Sequence, residues 1–121
     1  MTTKVLIVDD SSVSRKMIKK SLPPEWDVAI TEAANGIEAL EQYKLGVADV
    51  MFLDLTMPEL DGYGVLEQIQ KDGLNSMIIV ISADIQPEAA ERVKKLGAMA
   101  FIKKPIDTEK LSAVLKEHGI I

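Results

Sequence analysis

Short apolar runs alternate with longer stretches of mixed polarity along the whole chain. The runs are Val5–Val8, Val50–Leu53, Met77–Ile81 and the weaker Met99–Ile102. Such runs are typical of strands in a parallel sheet, because helices cover both of its faces. A further segment, Val28–Ala33, is more mixed, since Glu32 lies on the same side of an extended chain as Ile30. We therefore predict that this segment is a more exposed strand near an edge of the sheet.

Apolar side chains recur at helical spacing in the stretch that follows each strand. The five sets are Val13, Met17 and Ile18; Ile37, Leu40 and Tyr43; Leu66 and Ile69; Ala89, Val93 and Leu96; and Leu111, Val114, Leu115 and His118. Pro23 cannot continue the first helix, Pro87 fits the first turn of the fourth, and Gly97 fits its end. Asp107 and Thr108 are both candidates for the N-cap of the fifth helix.

Five consecutive βα units predict an α/β fold with a five-stranded parallel sheet. Right-handed crossover connections place helices on both faces, which gives a doubly wound (βα)5 sandwich of three layers. In such sheets ligands bind at the carboxyl ends of the strands. The side chains that follow each strand are therefore the main candidates for function.

The composition excludes several classes of protein. At 121 residues the chain is the size of one domain, and its formal charge of −5 argues against a basic nucleic-acid binder or a polybasic membrane binder. The absence of cysteine excludes disulfides and cysteine nucleophiles, and the single histidine, His118, excludes a histidine-rich metal site. No apolar run approaches the roughly 20 residues that a membrane-spanning helix needs. We therefore expect a cytoplasmic protein without direct DNA binding or membrane insertion.

Charged and polar side chains follow four of the predicted strands. Asp9 and Asp10 follow the first strand, and Asp54 follows the third. Ser82 ends the fourth strand, and Lys104 follows the fifth. Because the carboxyl ends of parallel strands share one rim of the sheet, three carboxylates, a hydroxyl and an ammonium are expected to converge there.

These residue types suit phosphoryl transfer to a carboxylate. Carboxylates within a few ångströms repel one another unless a cation neutralises them, and Mg²⁺ prefers such oxygen ligands. Asp9 and Asp10 suit that role, which leaves Asp54 as a nucleophile towards phosphorus. Lys104 can balance the charge of the phosphoryl oxygens, and Ser82 can donate a hydrogen bond to one of them. Together these groups could accept and hold an aspartyl phosphate.

Five segments in order resemble the receiver domain of bacterial two-component response regulators. They are Val5–Asp10, Glu32–Gly36, Asp54–Gly62, Ile81–Ala83 and Phe101–Pro105. The resemblance covers essentially the whole chain, and the length is similar to the single-domain, CheY-like form. It implies a flavodoxin-like fold with strand order 2-1-3-4-5. It also implies one receiver domain over residues 1–121, with no output domain.

The resemblance implies a role for most side chains at the predicted rim. Asp54 is expected to be the phosphoacceptor. Mg²⁺ is the expected cofactor, held by the carboxylates of Asp9, Asp10 and Asp54 and by the backbone carbonyl of Thr56. Lys104 is expected to pair with the phosphoryl group.

The resemblance also implies which residues transmit the signal and which set the lifetime of the phosphoaspartate. Ser82 is expected to bind a phosphoryl oxygen and, together with Phe101, to switch conformation. Thr56 and Asp84 lie at variable family positions that tune hydrolysis of the phosphoaspartate. Pro105 resembles the family's cis-proline turn, and an X–Pro bond adopts the cis form more readily than other peptide bonds.

The implied function is a signalling switch that catalyses its own phosphorylation and dephosphorylation, rather than a turnover enzyme. Its expected partners are a sensor histidine kinase or a histidine phosphotransfer domain, a downstream protein on the 87–118 face, and a dedicated phosphatase. Chemotaxis is the first expectation, and an intermediate in a phosphorelay is the alternative.

An enzyme of another class remains as a rival interpretation. Phosphatases of the haloacid dehalogenase type also use a strand-end aspartate and Mg²⁺, but their hallmark is Asp-x-Asp, and Thr56 stands at the second position here.

One basic cluster and one further lysine keep an ordinary surface interpretation. Arg15, Lys16, Lys19 and Lys20 indicate a solvated face of the first helix, although this helix commonly faces the kinase or a phosphatase in the family. Lys103 is interpreted as a solubilising surface charge.

Overall fold

The computed structural model describes residues 2–73, 76–83 and 86–121. Strands and helices alternate along these residues, as the hydrophobic pattern predicts. They are β1 (Thr3–Val8), α1 (Ser12–Ser21), β2 (Val28–Ala33), α2 (Gly36–Lys44), β3 (Val50–Leu53), α3 (Gly62–Lys71), β4 (Met77–Ser82), α4 (Pro87–Lys95), β5 (Ala100–Lys103) and α5 (Thr108–Glu117). Within the described ranges, no helix is long and apolar enough to cross a membrane.

The five strands form one parallel sheet in the order β2-β1-β3-β4-β5. This confirms both the doubly wound fold and the expected strand order. The register aligns the carboxyl ends: Val8 of β1 pairs with Ala33 of β2 on one side and with Leu53 of β3 on the other. β2 is an edge strand, and Ile30 on it is 40% exposed, so the prediction from its mixed pattern is confirmed.

Alternate residues of the inner strands point into two separate cores. Leu6 and Val8 of β1 pack in the core that contains the buried residues of α2, α3 and α4. Val5 and Ile7 pack on the opposite face with the buried residues of α1 and α5. Burial on both faces explains why these strands read as unbroken apolar runs.

Side-chain caps begin four of the helices. Asp107 caps α5 by accepting a hydrogen bond from the Lys110 amide at 2.8 Å, so Asp107 rather than Thr108 is the N-cap. Ser11, Asn35 and Asp61 cap α1, α2 and α3 in the same way. α4 begins instead with Pro87 in its first turn, as predicted. These caps satisfy backbone amides that have no partner inside the helix.

Two predicted apolar stripes are only partly buried. In α1 Ile18 is 2% exposed, but Val13 is 69% and Met17 is 47% exposed. In α2 Ile37 is 47% exposed, whereas Ala39 is fully buried. The apolar stripe of each helix is therefore wider than the part of the helix that its neighbours cover. Val13, Met17 and Ile37 belong to the predicted stripes but are exposed to solvent.

Candidate functional site

The three aspartates predicted at the strand ends lie together at the carboxyl rim of the sheet. Asp9 follows β1 and is 1% exposed, and Asp54 follows β3 and is 7% exposed. Asp10 is exposed to solvent. Each of the three offers a carboxylate oxygen, and these oxygens all lie within 4.8 Å of one another.

Lys104 brings a positive charge into this cluster from the end of β5. Its Nζ lies 2.9 Å from Oδ2 of Asp9 and 3.8 Å from Oδ1 of Asp54. Its backbone amide donates to the carbonyl of Ser82 at 2.9 Å, which ties the segment after β5 to the end of β4. The next peptide bond, Lys104–Pro105, is cis, as the resemblance implied.

Asp9 is held by its main chain as well as by its carboxylate. Its amide donates to the carbonyl of Ala33 at 3.1 Å, and its carbonyl accepts from Nη1 of Arg15 at 2.6 Å. Oδ1 accepts from the amide of Ser11 at 2.9 Å, while Oδ2 accepts from Lys104. These partners hold the buried Asp9 carboxylate in one orientation.

Asp54 is placed by the central strand and by the start of α3. Its amide donates to the carbonyl of Val8 at 3.0 Å, which continues the β1–β3 ladder by one residue. Gly62, the first residue of α3, packs so closely that a Cβ there would contact the carbonyl of Asp54 and lie 2.8 Å from Cα of Leu55. A glycine is therefore required where α3 begins against the strand that carries Asp54.

Burial raises the pKa of the Asp54 carboxyl from 3.8 to about 6. This pKa value is the net result, to which the charge of Asp9 adds and from which Lys104 and the Leu55 amide subtract, while Asp10 adds a smaller increase. Desolvation dominates because Asp54 is largely buried and has little access to water. A cation placed among these carboxylates would favour the charged form of Asp54.

The donor set fits a hard divalent cation. Three carboxylates and one ammonium carry a formal charge of −2 within this cluster. All candidate ligand atoms are oxygens, and the exposed position of Asp10 leaves a side open to water. Mg²⁺ is held in this way in many proteins, by one or two carboxylates with water and substrate oxygens in the remaining positions.

The family follows from comparison with known proteins. The sequence model of one protein family, the response regulator receiver domain, matches residues 5–116 of this chain. This chain belongs to that family. Two chemotaxis proteins CheY are similar to it: that of Bacillus subtilis (strain 168) is 36% identical over 111 residues, 92% of each chain. That of Thermotoga maritima is 37% identical over 117 residues, 97% of this chain and 98% of the relative.

A solved structure supports the same assignment. A chain in the crystal structure of the CheX-CheY-BeF3-Mg+2 complex from Borrelia burgdorferi is 32% identical to this receiver domain. The two superpose with a TM-score of 0.86, over 97% of this chain and 89% of that chain.

The remaining predicted residues of the receiver domain occupy different environments. Ser82, the last residue of β4, is 1% exposed. Phe101 on β5 is partly buried and packs against the core shared with α4. Thr56 is exposed in the segment between β3 and α3. Asp84 lies outside the described residues.

The interpretation of the basic face of α1 as solvated was wrong for Arg15. Arg15 is 17% exposed and donates through Nε to Oε1 of Glu32 at 2.9 Å, while Lys19 Nζ lies 2.8 Å from Oε2. The Lys19 hydrogen bond, with a smaller effect of Arg15, holds the pKa of Glu32 below its usual range. One signal in the sequence could have revealed this group: Arg15 and Lys19 share a helix face, and Glu32 is an acidic residue on the strand beside β1.

Proposed function

We propose that the chain is a phosphorylation-dependent switch that accepts a phosphoryl group on Asp54 from the phosphohistidine of a sensor histidine kinase or phosphotransfer domain. One observation carries the proposal: the buried carboxylate of Asp54 lies at the rim beside two further carboxylates and 3.8 Å from the Lys104 ammonium. In the transfer, an Asp54 oxygen bonds to phosphorus as the phosphorus–nitrogen bond breaks. The electron pair of that bond stays on the imidazole nitrogen of the donor.

Each neighbouring group has a distinct task in this transfer. Asp9, Asp10, Asp54 and the backbone carbonyl of Thr56 are the proposed ligands of Mg²⁺. When bound, Mg²⁺ neutralises charge on the transferring phosphoryl oxygens. Lys104 reaches the same oxygens by leaving Asp54 Oδ1, to which its Nζ is only loosely paired at 3.8 Å.

The raised pKa of Asp54 gives a cation one further effect on the site. With a pKa of about 6, a fraction of the Asp54 carboxyl is protonated near neutral pH when no cation is bound. A protonated carboxyl is a poor nucleophile. Cation binding lowers this pKa and so increases the fraction of Asp54 that can react.

Contacts from Ser82 and Lys104 to the phosphoryl group would drive the switch. Charge-assisted hydrogen bonds are worth about 1.5–3 kcal/mol each, so two contacts supply roughly 3–6 kcal/mol. About 5.5 kcal/mol converts a 1:99 equilibrium into 99:1. These contacts are therefore sufficient if they form mainly in one state. Movement of Ser82 would let Phe101 turn inward and remodel the 87–118 face, where a downstream protein binds.

An apolar cavity beside Lys104 offers a docking place for the phosphodonor. It measures about 440 Å³, and Val13, Met17, Lys104, Pro105 and Ile106 contribute to its lining. The exposed Val13 and Met17 therefore lie next to the reacting groups rather than in the core. A dedicated phosphatase could use the same surface, and Thr56 and Asp84 are the residues we expect to tune the lifetime of the phosphoaspartate.

Chemotaxis is the favoured setting, because the similar CheY proteins are chemotaxis proteins and match over nearly the full chain. We expect the exchange to take place in the cytoplasm. Phosphate-dependent capture of a flagellar motor component would support this setting, whereas capture of a histidine phosphotransfer domain would support a relay.

Incubation with a small phosphodonor tests the proposed chemistry. Intact mass spectrometry should show one added phosphoryl group on the wild type with Mg²⁺, and none after chelation of the metal. Asp54→Asn should show none in either condition. Asp72→Asn, which alters an exposed carboxylate at the end of α3, is the matched control and should react like the wild type. Equal labelling of Asp54→Asn would overturn the assignment, and turnover of a generic phosphomonoester would favour a phosphatase.

A further inference from the structure

We propose that Arg15, held by Glu32, is a positioning residue that fixes the main chain at Asp9 and thereby makes the acidic cluster selective for Mg²⁺ over larger divalent cations. The inference rests on the proposed metal site and adds a determinant of its selectivity. Arg15 touches none of the reacting atoms and acts on the site only through Asp9.

The Arg15 guanidinium bridges two elements of the fold. Nη1 donates to the main-chain carbonyl of Asp9 at 2.6 Å, while Nε donates to Oε1 of Glu32 at 2.9 Å. Arg15 lies in the first half of α1, and Glu32 lies on β2. The planar fork of a guanidinium can hold two acceptors in fixed directions, which a flexible ammonium cannot do.

Glu32 is itself fixed on both oxygens. Oε1 accepts a hydrogen bond from Arg15. Oε2 accepts one at 2.8 Å from Lys19, which lies on the next turn of α1. With Arg15 only 17% exposed, this pairing is shielded from solvent on the arginine side. The carboxylate therefore determines the orientation of the guanidinium.

The consequence for the site is that the main chain is held on both sides of the Asp9 Cα. The amide of Asp9 donates to Ala33 on β2, and its carbonyl accepts from Arg15. The carbonyl of Asp9 belongs to the peptide bond that leads into Asp10. Arg15 therefore fixes the point from which the exposed Asp10 reaches the other two carboxylates.

Fixed ligand spacing matters more for Mg²⁺ than for Ca²⁺. Mg²⁺ requires near-ideal octahedral geometry at about 2.0–2.1 Å, whereas Ca²⁺ accepts variable geometry at about 2.3–2.6 Å. A loosened peptide at Asp9 should therefore weaken Mg²⁺ binding more than Ca²⁺ binding.

Charge and position can be separated by comparing three variants. Arg15→Gln removes a positive charge, so a long-range electrostatic effect alone would tighten cation binding. Glu32→Gln removes a negative charge, so the same effect would weaken it. Positioning predicts that both variants weaken Mg²⁺ binding. Lys16→Gln is the matched control, because it removes the same charge as Arg15→Gln from the exposed neighbouring position on α1.

Isothermal titration with Mg²⁺ and with Ca²⁺ measures the effect directly. Loss of a group that orients a metal ligand typically weakens metal binding by 10-fold or more, and we expect about a tenfold loss of Mg²⁺ affinity in Arg15→Gln and Glu32→Gln. Ca²⁺ affinity should change by about twofold or less, because its coordination tolerates displacement. Lys16→Gln should keep the wild-type preference for Mg²⁺. Arg15→Lys keeps the positive charge but lacks the planar guanidinium. Its Mg²⁺ affinity should therefore lie between those of Arg15→Gln and the wild type.

Several results would overturn the inference. Tighter Mg²⁺ binding in Arg15→Gln together with weaker binding in Glu32→Gln would show a charge effect alone. An unchanged Mg²⁺ to Ca²⁺ ratio in both variants would show that Arg15 only pairs with Glu32. If Arg15→Gln fails to fold, as thermal unfolding without metal would reveal, Arg15→Lys and Glu32→Gln carry the test. Absence of Mg²⁺ binding by the wild type would overturn the proposed metal site as well, whereas binding without phosphorylation would overturn only the proposed phosphoacceptor role.

Discussion

Lys104 donates a 2.9 Å hydrogen bond to Asp9, although 95 positions separate the two residues in the sequence. The pair joins the ends of the first and last strands at the rim that also holds Asp54. Asp9 is 1% exposed, so Lys104 supplies the positive charge that this buried carboxylate requires in the metal-free protein. Metal binding and phosphorylation both change the balance of charge around this ammonium.

Replacing Lys104 with Gln should destabilise the metal-free protein and increase the stabilisation that Mg²⁺ gives. The free energy of unfolding should fall by about 1–3 kcal/mol, because the buried carboxylate of Asp9 loses its charged partner. Mg²⁺ should restore most of this loss, since it supplies positive charge at the same place. Urea unfolding with and without Mg²⁺ measures both effects.

Lys103→Gln is the control for this change, because Lys103 is exposed and adjacent in sequence. Its free energy of unfolding should change by about 0.5 kcal/mol or less. Equal losses in the two variants, or equal stabilisation by Mg²⁺ in Lys104→Gln and in the wild type, would contradict the role given to Lys104.

Asp54→Asn should stabilise the metal-free protein above pH 6. Burial raises the folded-state pKa of Asp54 from 3.8 to about 6, so keeping this carboxyl charged costs folding free energy. Stability from this group is fully present below the unfolded pKa and is lost as the pH rises through the folded pKa. The difference between variant and wild type should therefore be small near pH 4, grow between pH 4 and pH 6, and level off at about 1–3 kcal/mol by pH 7.

Chemical unfolding at a series of pH values, with the metal chelated, tests this dependence. Mg²⁺ should shrink the difference at pH 7, because it stabilises the charged wild-type site but has one ligand fewer in the variant. A difference that does not vary between pH 4 and pH 7 would contradict the raised pKa of Asp54.

Ser82→Ala should separate phosphorylation from switching. The variant keeps Asp54 and Lys104, so a phosphodonor should still label it. Loss of one charge-assisted hydrogen bond, worth about 1.5–3 kcal/mol, should reduce the population of the switched state by about 10- to 100-fold relative to the unswitched state.

Fluorine NMR of protein labelled with fluorophenylalanine can measure this population. The chain has two phenylalanines, and Phe52 is fully buried, so it serves as an internal reference for Phe101. In the wild type, phosphorylation should shift the Phe101 signal and leave that of Phe52 nearly unchanged. Ser112→Ala on α5 is the control and should switch like the wild type. A full shift of Phe101 in phosphorylated Ser82→Ala would show that Ser82 does not transmit the signal.

The sheet could be predicted from the sequence because its inner strands are buried on both faces. Burial on both faces makes these strands unbroken apolar runs, which are easy to recognise. The single charge of Glu32 was enough to predict that β2 lies near an edge. The residues after the strands predicted the cluster of Asp9, Asp10, Asp54 and Lys104, because strand register brings the carboxyl ends to one rim.

Helical periodicity was less informative about surfaces. It placed Val13, Met17 and Ile18 on one stripe, but only Ile18 is buried, whereas Val13 and Met17 are exposed beside a cavity. An apolar stripe does not indicate which of its residues are covered. Arg15 was missed for a related reason. Its main-chain contact with Asp9 depends on a rotamer and on the neighbouring strand, and neither is visible in the spacing of charges.

Mapping the phosphorylated residue tests the central claim most directly. The protein is phosphorylated with a small phosphodonor and Mg²⁺, the acyl phosphate is reduced with borohydride, and the peptides are sequenced by mass spectrometry. Reduction should convert Asp54 alone to homoserine, and Asp54→Asn should yield no modified peptide. Modification at Asp9 or Asp10, or at another site with Asp54 unmodified, would contradict the account.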